Sequence, residues 1–172
     1  MNPKAAPTGL IFDMDGVIID SELLHLQAGI RALEKHDLGE IAFPELHPGY
    51  RGRSDQEMFR ELVQIYRPQA PCSELISSLI EAKAQAFSLL LTQVRLVDQV
   101  LPFLETARRI YPRLALTTSA TARDQEQVFA QFQLHPWFDV VVTAAEITKA
   151  KPDPEPYHLT TTRLQLPRNN VW

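Results

Sequence analysis

Three short apolar runs, each ending in polar residues, constrain this chain more than any other feature. They are Leu10-Ile11-Phe12, Leu114-Ala115-Leu116 and Val140-Val141-Val142. Each is short and unbroken, the pattern of a strand buried on both faces. Around the second and third, helical patterns alternate with the strands. Pro102 opens a helix running to about Tyr111. Residues 113–118 read as a strand, and 121–133 as a helix with Val128, Phe129 and Phe132 inward. Residues 138–143 read as a strand, and Asp153-Pro154 starts a helix with Asp as N-cap and Pro in the first turn. Asn169-Asn170-Val171-Trp172 begins a further strand. Such alternation predicts a parallel sheet with helices on both faces.

A helical block interrupts the alternation. From Ser21 the period changes, and Leu23, Leu26, Ile30 and Leu33 fall on one helical face until Asp37-Leu38-Gly39. Residues 43–53 carry two prolines and two glycines and read as loop. Ser54-Asp55-Gln56-Glu57 is a capping-box pattern that starts a helix ending near Tyr66. Another helix begins near Ser73, with Leu75, Ile76, Leu79, Ile80, Ala86, Phe87, Leu90 and Leu91 as its apolar stripe. The expected organisation is an α/β domain formed by residues 1–20 and 94–172, with residues 21–93 inserted as a helical domain.

Composition narrows the function classes. With 172 residues, 45% of them hydrophobic, the chain can bury a sizeable core. A net charge of −4 gives no electrostatic footprint for nucleic acid or an anionic membrane. The single cysteine, Cys72, rules out an internal disulfide and fits a reducing compartment. The first apolar run is too short for a signal-peptide core, and no stretch is expected to reach the roughly 18 apolar residues of a membrane span. The expectation is a cytoplasmic protein without membrane or nucleic-acid partners.

Ligands of open parallel sheets bind outside the carboxyl ends of the strands, and three polar clusters fall there. Asp13-Met14-Asp15-Gly16 follows the first run. Two carboxylates at the end of a buried strand are costly unless they meet a cation or do chemistry. A carboxylate can attack phosphorus, a second can transfer protons, and a hard cation such as magnesium offsets the phosphate charge. Gly16 permits a tight turn. Thr117-Thr118-Ser119 follows the second run, and its hydroxyls and backbone N–H groups can hold phosphate oxygens. Lys149-Ala150-Lys151-Pro152 follows the third and offers a point charge for an anion. Each has a plainer alternative: a turn at Asp15-Gly16, a helix cap at Thr118-Ser119, a solvated charge at Lys151. Their order and placement together favour one site.

The stretch Asp13-Met14-Asp15-Gly16-Val17-Ile18-Ile19-Asp20-Ser21-Glu22 resembles the first motif of the haloacid dehalogenase superfamily. It is closest to the branch holding β-phosphoglucomutase and the sugar-phosphate and phosphoglycolate phosphatases. The threonine and lysine motifs follow in the family's order, and the resemblance extends over essentially the whole chain. It implies a Rossmann-like doubly wound parallel sheet with an inserted α-helical cap. It implies Asp13 as nucleophile, Asp15 as general acid and base, and Mg2+ held by the Asp13 carboxylate and the Asp15 backbone carbonyl. Thr118 would bind the transferring phosphoryl group, with Ser119 and Gly16 contributing at the phosphate, and Lys151 would pair with Asp13 and the phosphate. The presence of Asp15 points to phosphoryl transfer rather than dehalogenation. In the cap, Arg53 lies where related enzymes contact substrate. Lys83 sits on the apolar stripe of its helix, either running along apolar surface with its head in water or pointing at the substrate's distal group.

One departure stands out. The family's fourth motif, an acidic pair after the fourth strand, has no counterpart here, because the sequence ends at Trp172 within that strand. The resemblance therefore implies a core that is incomplete at its C-terminal side. The expectation is a piece of a longer protein, or an unstable or self-associating chain; otherwise a monomer is the family-based expectation. The expected function is a magnesium-dependent phosphatase acting on a small phosphorylated metabolite, a sugar phosphate by preference, through an aspartyl-phosphate. The alternatives are a phosphomutase using the same residues and a catalytically impaired, partner-binding remnant.

Overall fold

The computed structural model describes residues 8–50, 54–69 and 72–172, with Cys72 described in its backbone alone. In chain order the elements are β1 (Gly9–Phe12), β2 (Ile19–Asp20), α1 (Glu22–Lys35), α2 (Phe43–Leu46), α3 (Asp55–Tyr66), α4 (Cys72–Leu90), β3 (Arg95–Leu96), α5 (Val100–Ile110), β4 (Arg113–Thr117), α6 (Ala122–Phe132), β5 (Val140–Val142) and α7 (Glu155–Leu164). They form two compact units, one of Met1–Asp20 with Arg95–Trp172 and one of Ser21–Val94.

The first unit is built on a parallel sheet in the order β1-β4-β5. Phe12 is in register with Leu116, and Thr117 with Val142, so the carboxyl ends of the three strands lie along one edge. On the far side of β1 the last residues add a further parallel pairing. Gly9 bridges Val171, Ile11 N donates to Trp172 O (2.7 Å) and Trp172 N donates to Gly9 O (3.1 Å). Leu114, Ala115 and Leu116 are fully buried, as an unbroken apolar run requires. Phe12 meets the rings of Phe103 and Phe138 edge-on, and Phe138 lies against Phe129. Helix α6 is capped by Thr121, whose side chain accepts from Asp124 N. Helix α7 is tied to β4 by a hydroxyl pair, Thr117 Oγ1 to Thr160 Oγ1 at 2.6 Å, with both residues fully buried.

The second unit is helical. Its core includes Leu33, Leu38, Phe43, Phe59, Leu62 and Leu79. The capping box at Ser54 forms as its residues predict: Glu57 N donates to Ser54 Oγ, and Ser54 N donates back to the Glu57 carboxylate.

Several details differ from the sequence reading. The buried face of α1 is Leu24, Ala28, Gly29, Ala32 and Leu33, while Leu23 is exposed. Small residues turn this face inward because Phe43 presses on it; a Cβ at Gly29 would lie 2.2 Å from the Phe43 ring. The segment from residue 43 is not all loop: α2 forms there, with Pro44 in its first turn, followed by the 3-10 turn His47–Tyr50. Helix α5 starts at Val100, two residues before Pro102, behind Gln99 at a left-handed φ of 64°. The strands β2 and β3, two residues each, are too short to leave a pattern. One stretch, Ser73–Gln93, is long and apolar enough to cross a membrane by length and composition, contrary to the expectation that none would be. Glu81 and Lys83 break its apolar run in the sequence. In the folded unit its apolar face, including Ile76, Leu79 and Ala82, belongs to the helical core shared with α1 and α3.

Candidate active site

The three polar clusters follow the carboxyl ends of the strands, the first two directly after β1 and β4 and the third after β5 and the 3-10 turn Ala144–Glu146. At the end of β1 the chain turns sharply. Gly16 takes a φ of 72° and donates its N–H to Ile19 O at 2.8 Å, while Ile18 N and Ile19 N both donate to Met14 O. Glycine, with no Cβ, adopts this φ at the lowest steric cost. Met14 and Ile18 are completely buried, while Asp13 and Asp15, on either side of Met14, stay partly exposed.

Lys151 crosses from the loop after β5 to the ends of the two neighbouring strands. Its Nζ lies 2.9 Å from Asp13 Oδ1 and donates to Thr117 O at 2.8 Å. Asp13 Oδ1 also accepts from Met14 N at 2.8 Å. The carboxylate is therefore held through one oxygen by two donors, while 40% of its side-chain surface stays exposed. The Lys151 ammonium lies over the Tyr157 ring, 5.3 Å from its centroid. The surface-charge reading of Lys151 does not describe this geometry, because two protein oxygens hold the head group.

Thr118 is buried and its Oγ1 accepts from Ala120 N at 3.0 Å. It does not cap α6, a role taken by Thr121. As the acceptor in this bond, the hydroxyl keeps its own proton for donation. Ser119 is exposed beside it.

The other sequence candidates belong to the helical unit. Arg53 lies outside the described residues. Lys83 is buried, and its Nζ pairs with Asp55 Oδ1 at the first residue of α3. This ion pair joins α3 to α4 and was not anticipated, since Asp55 and Lys83 share no local pattern.

Two further residues escaped the sequence reading as functional candidates. Thr160 fixes β4 to α7 behind the site. Glu155 binds the loop that carries Lys151: Thr148 N donates to Oε1 at 2.7 Å and Lys149 N donates to Oε2 at 3.0 Å. These bonds, the one from Thr148 N foremost, hold the Glu155 carboxyl below its ordinary range. The only signal in the sequence is the position of an acidic residue in the first turn of a helix, which the helix dipole explains equally well.

Among the described residues, no group of three or more His, Cys, Asp or Glu side chains converges to hold a metal. Asp13 and Asp15, which follow β1, bring carboxylate oxygens to the carboxyl end of the sheet.

This chain belongs to the haloacid dehalogenase-like hydrolase family, whose model matches residues 10–172. It is 31% identical over 157 residues to a phosphorylated carbohydrates phosphatase of Thermotoga maritima, covering 91% of this chain and 70% of that one. A Thermotoga maritima structure provisionally named a β-phosphoglucomutase is 29% identical, with a TM-score of 0.65, over 95% of this chain and 73% of the other. The fold is also that of a hydrolase from Pseudomonas syringae, with a TM-score of 0.74 at 24% identity, over 95% and 73% of the two chains. The architecture is thus the Rossmann-like α/β fold of these hydrolases.

Proposed function

We propose that this chain is a phosphatase that hydrolyses a phosphate monoester of a small phosphorylated carbohydrate through an aspartyl-phosphate on Asp13. The observation that carries this reading is the contact of the Lys151 ammonium with both Asp13 Oδ1 and Thr117 O at the carboxyl edge of the sheet. It supplies a nucleophile fixed in orientation and a cation beside the place a phosphate would occupy. The relative named for phosphorylated carbohydrates supports the substrate class.

In this reading the Asp13 oxygen not held by Lys151 and Met14 attacks phosphorus. The new Asp13 O–P bond forms as the ester P–O bond breaks, and the leaving oxygen takes a proton from the Asp15 carboxyl. Asp15, now a carboxylate, removes a proton from water, which attacks the same phosphorus. The Asp13 O–P bond breaks, inorganic phosphate leaves and Asp13 is a carboxylate again. Lys151 and the Thr118 hydroxyl stabilise the charge on the phosphoryl oxygens throughout.

The donor set fits Mg2+. This ion keeps several waters and takes one or two carboxylates with substrate phosphate oxygens rather than a dedicated protein cage. The half-exposed Asp13 carboxylate and the Asp15 carbonyl suit it. When bound, it would offset the negative charge of the phosphate as the carboxylate approaches.

A phosphomutase would use the same residues, and the provisional name of the 29% identical structure favours keeping it as the second reading. Phosphate release from 4-nitrophenyl phosphate and a panel of sugar phosphates, with and without Mg2+, separates the two. Turnover that needs a sugar bisphosphate and yields no free phosphate identifies the mutase. Asp13→Asn should reduce phosphate release by about a thousandfold or more. Unchanged release in a folded Asp13→Asn protein would sink the aspartyl-phosphate reading.

A further inference from the structure

Lys151 sits on a loop rather than on a strand or helix, yet its head group is held to within hydrogen-bond distance of two fixed oxygens. A loop lysine has many rotamers and a mobile backbone, so something must hold the backbone beneath it. The loop is closed by one side chain. Glu155, in the first turn of α7, accepts Thr148 N at 2.7 Å, Lys149 N at 3.0 Å and the Thr148 hydroxyl at 3.0 and 2.8 Å. Between the two ends of this clasp, Asp153 N donates to Ala150 O at 3.0 Å and Glu155 N donates to Asp153 Oδ1 at 2.9 Å. The far side of the clasp is firm, because the buried Thr160 of α7 bonds the buried Thr117 of β4 at 2.6 Å. Thr117 also provides the carbonyl that holds Lys151. The helix that anchors the loop is thus registered to the strand that receives the lysine.

We propose that Glu155 is a positioning residue for Lys151, clasping residues 148 and 149 to α7 so that the ammonium is delivered to Asp13. This rests on the reading of Lys151 as the lysine that serves Asp13 and the phosphate. Glu155 itself touches no reacting atom. The competing account is that Glu155 merely starts α7, in which case its loss lowers stability without acting through Lys151.

A double-mutant cycle on turnover of 4-nitrophenyl phosphate separates these accounts. Glu155→Ala should lower kcat by about 10- to 100-fold, the scale of an ångström-sized misplacement, with KM changed far less. Glu155→Gln, which keeps one acceptor oxygen, should fall between. In a Lys151→Ala background, Glu155→Ala should change turnover by less than about threefold. If the two losses multiply instead, Glu155 acts elsewhere and the proposal is overturned. A folded Glu155→Ala protein with wild-type turnover overturns it as well, provided Lys151→Ala is impaired. If Lys151→Ala keeps full turnover, the reading of the lysine has failed, and the proposal with it.

A second measurement does not need activity. Reductive methylation with 13C-formaldehyde labels the five lysines and keeps their charge. The Lys151 signal, assigned by its loss in Lys151→Arg, should shift in Asp13→Asn and also in Glu155→Ala. A signal that responds to Asp13→Asn and ignores Glu155→Ala overturns the proposal even where turnover is too low to measure.

Discussion

The two ends of the parallel sheet each carry a carboxylate beside a basic side chain, and the two pairs are built for opposite purposes. At the amino end, Asp139 takes four donors: both Nη atoms of Arg108, Arg113 Nη1 at 3.4 Å and Leu114 N at 2.9 Å. Both of its oxygens are engaged, and 18% of its side-chain surface is exposed. At the carboxyl end, Asp13 takes two donors on one oxygen and keeps 40% of its side chain exposed. A carboxylate whose lone pairs are all committed has little left for attack. One held by a single oxygen is oriented and still reactive. The difference lies in how completely the acid is satisfied rather than in the presence of an ion pair, and it separates a structural acid from a candidate nucleophile.

Four substitutions or conditions probe that contrast, beginning with the largest effect. Asp13→Asn should lower turnover by about a thousandfold or more, while leaving the unfolding free energy in urea within about 0.5 kcal/mol of wild type, because the carboxylate is open to solvent and one of its oxygens is uncommitted. A large loss of stability in this variant would mean that the carboxyl-end pair is structural too. Asp139→Ala should do the reverse. It leaves the Leu114 N–H without its acceptor and the Arg108 guanidinium with the long contact to Pro112 O, at a cost of about 1 to 3 kcal/mol in urea unfolding, with kcat per folded molecule unchanged.

Acid titration of stability sharpens the same point. Arg108 holds the Asp139 carboxyl below its ordinary range, with Leu114 N–H adding to the effect and burial opposing it. The folded value lies below the unfolded one. The stabilisation is therefore fully present above the ordinary carboxylate range, near pH 4, and is lost as pH falls through the lower folded value. The urea midpoint measured between pH 6 and pH 2.5 should fall less steeply in Asp139→Asn than in wild type. Equal slopes would remove Asp139 from the acid response. Arg113→Ala should have the smallest effect, under about 0.5 kcal/mol, since its contact is long and its side chain half exposed. A loss above 1 kcal/mol would show that Arg113 shares the load with Arg108.

The sheet was readable from the sequence because its strands leave unbroken apolar runs at 10–12, 114–116 and 140–142, although burial throughout holds for 114–116 alone among them, with Leu10, Ile11, Val140 and Val141 partly exposed. The capping box at Ser54 was readable because its partners are three residues apart. The orientation of α1 was readable in part: Leu26, Ile30 and Leu33 of its stripe do pack in the core, but Leu23 is exposed, and the close approach of Phe43 to Gly29 adds small residues to the buried face. That contact is tertiary and leaves no periodic trace. The same holds for Lys83 with Asp55, 28 residues apart, where the helix pattern located the lysine and said nothing of its partner. At the carboxyl edge, Asp13, Thr118 and Lys151 were marked by residue type at strand ends. The role of Glu155 was hidden, because an acid in the first turn of a helix already has a local explanation.

The two-residue strands β2 and β3 have a consequence for how such a chain can vary. Ile19 is in register with Leu96, and Asp20 with Arg95. The points where the chain leaves the sheet unit and returns to it are therefore side by side, although 74 residues of sequence, Ser21–Val94, separate them. A connection of two residues would close that gap as a hairpin. The helical unit thus occupies the position of a hairpin loop, and its length and sequence can drift, or the whole of it be exchanged, without moving a strand end of the sheet that carries Asp13.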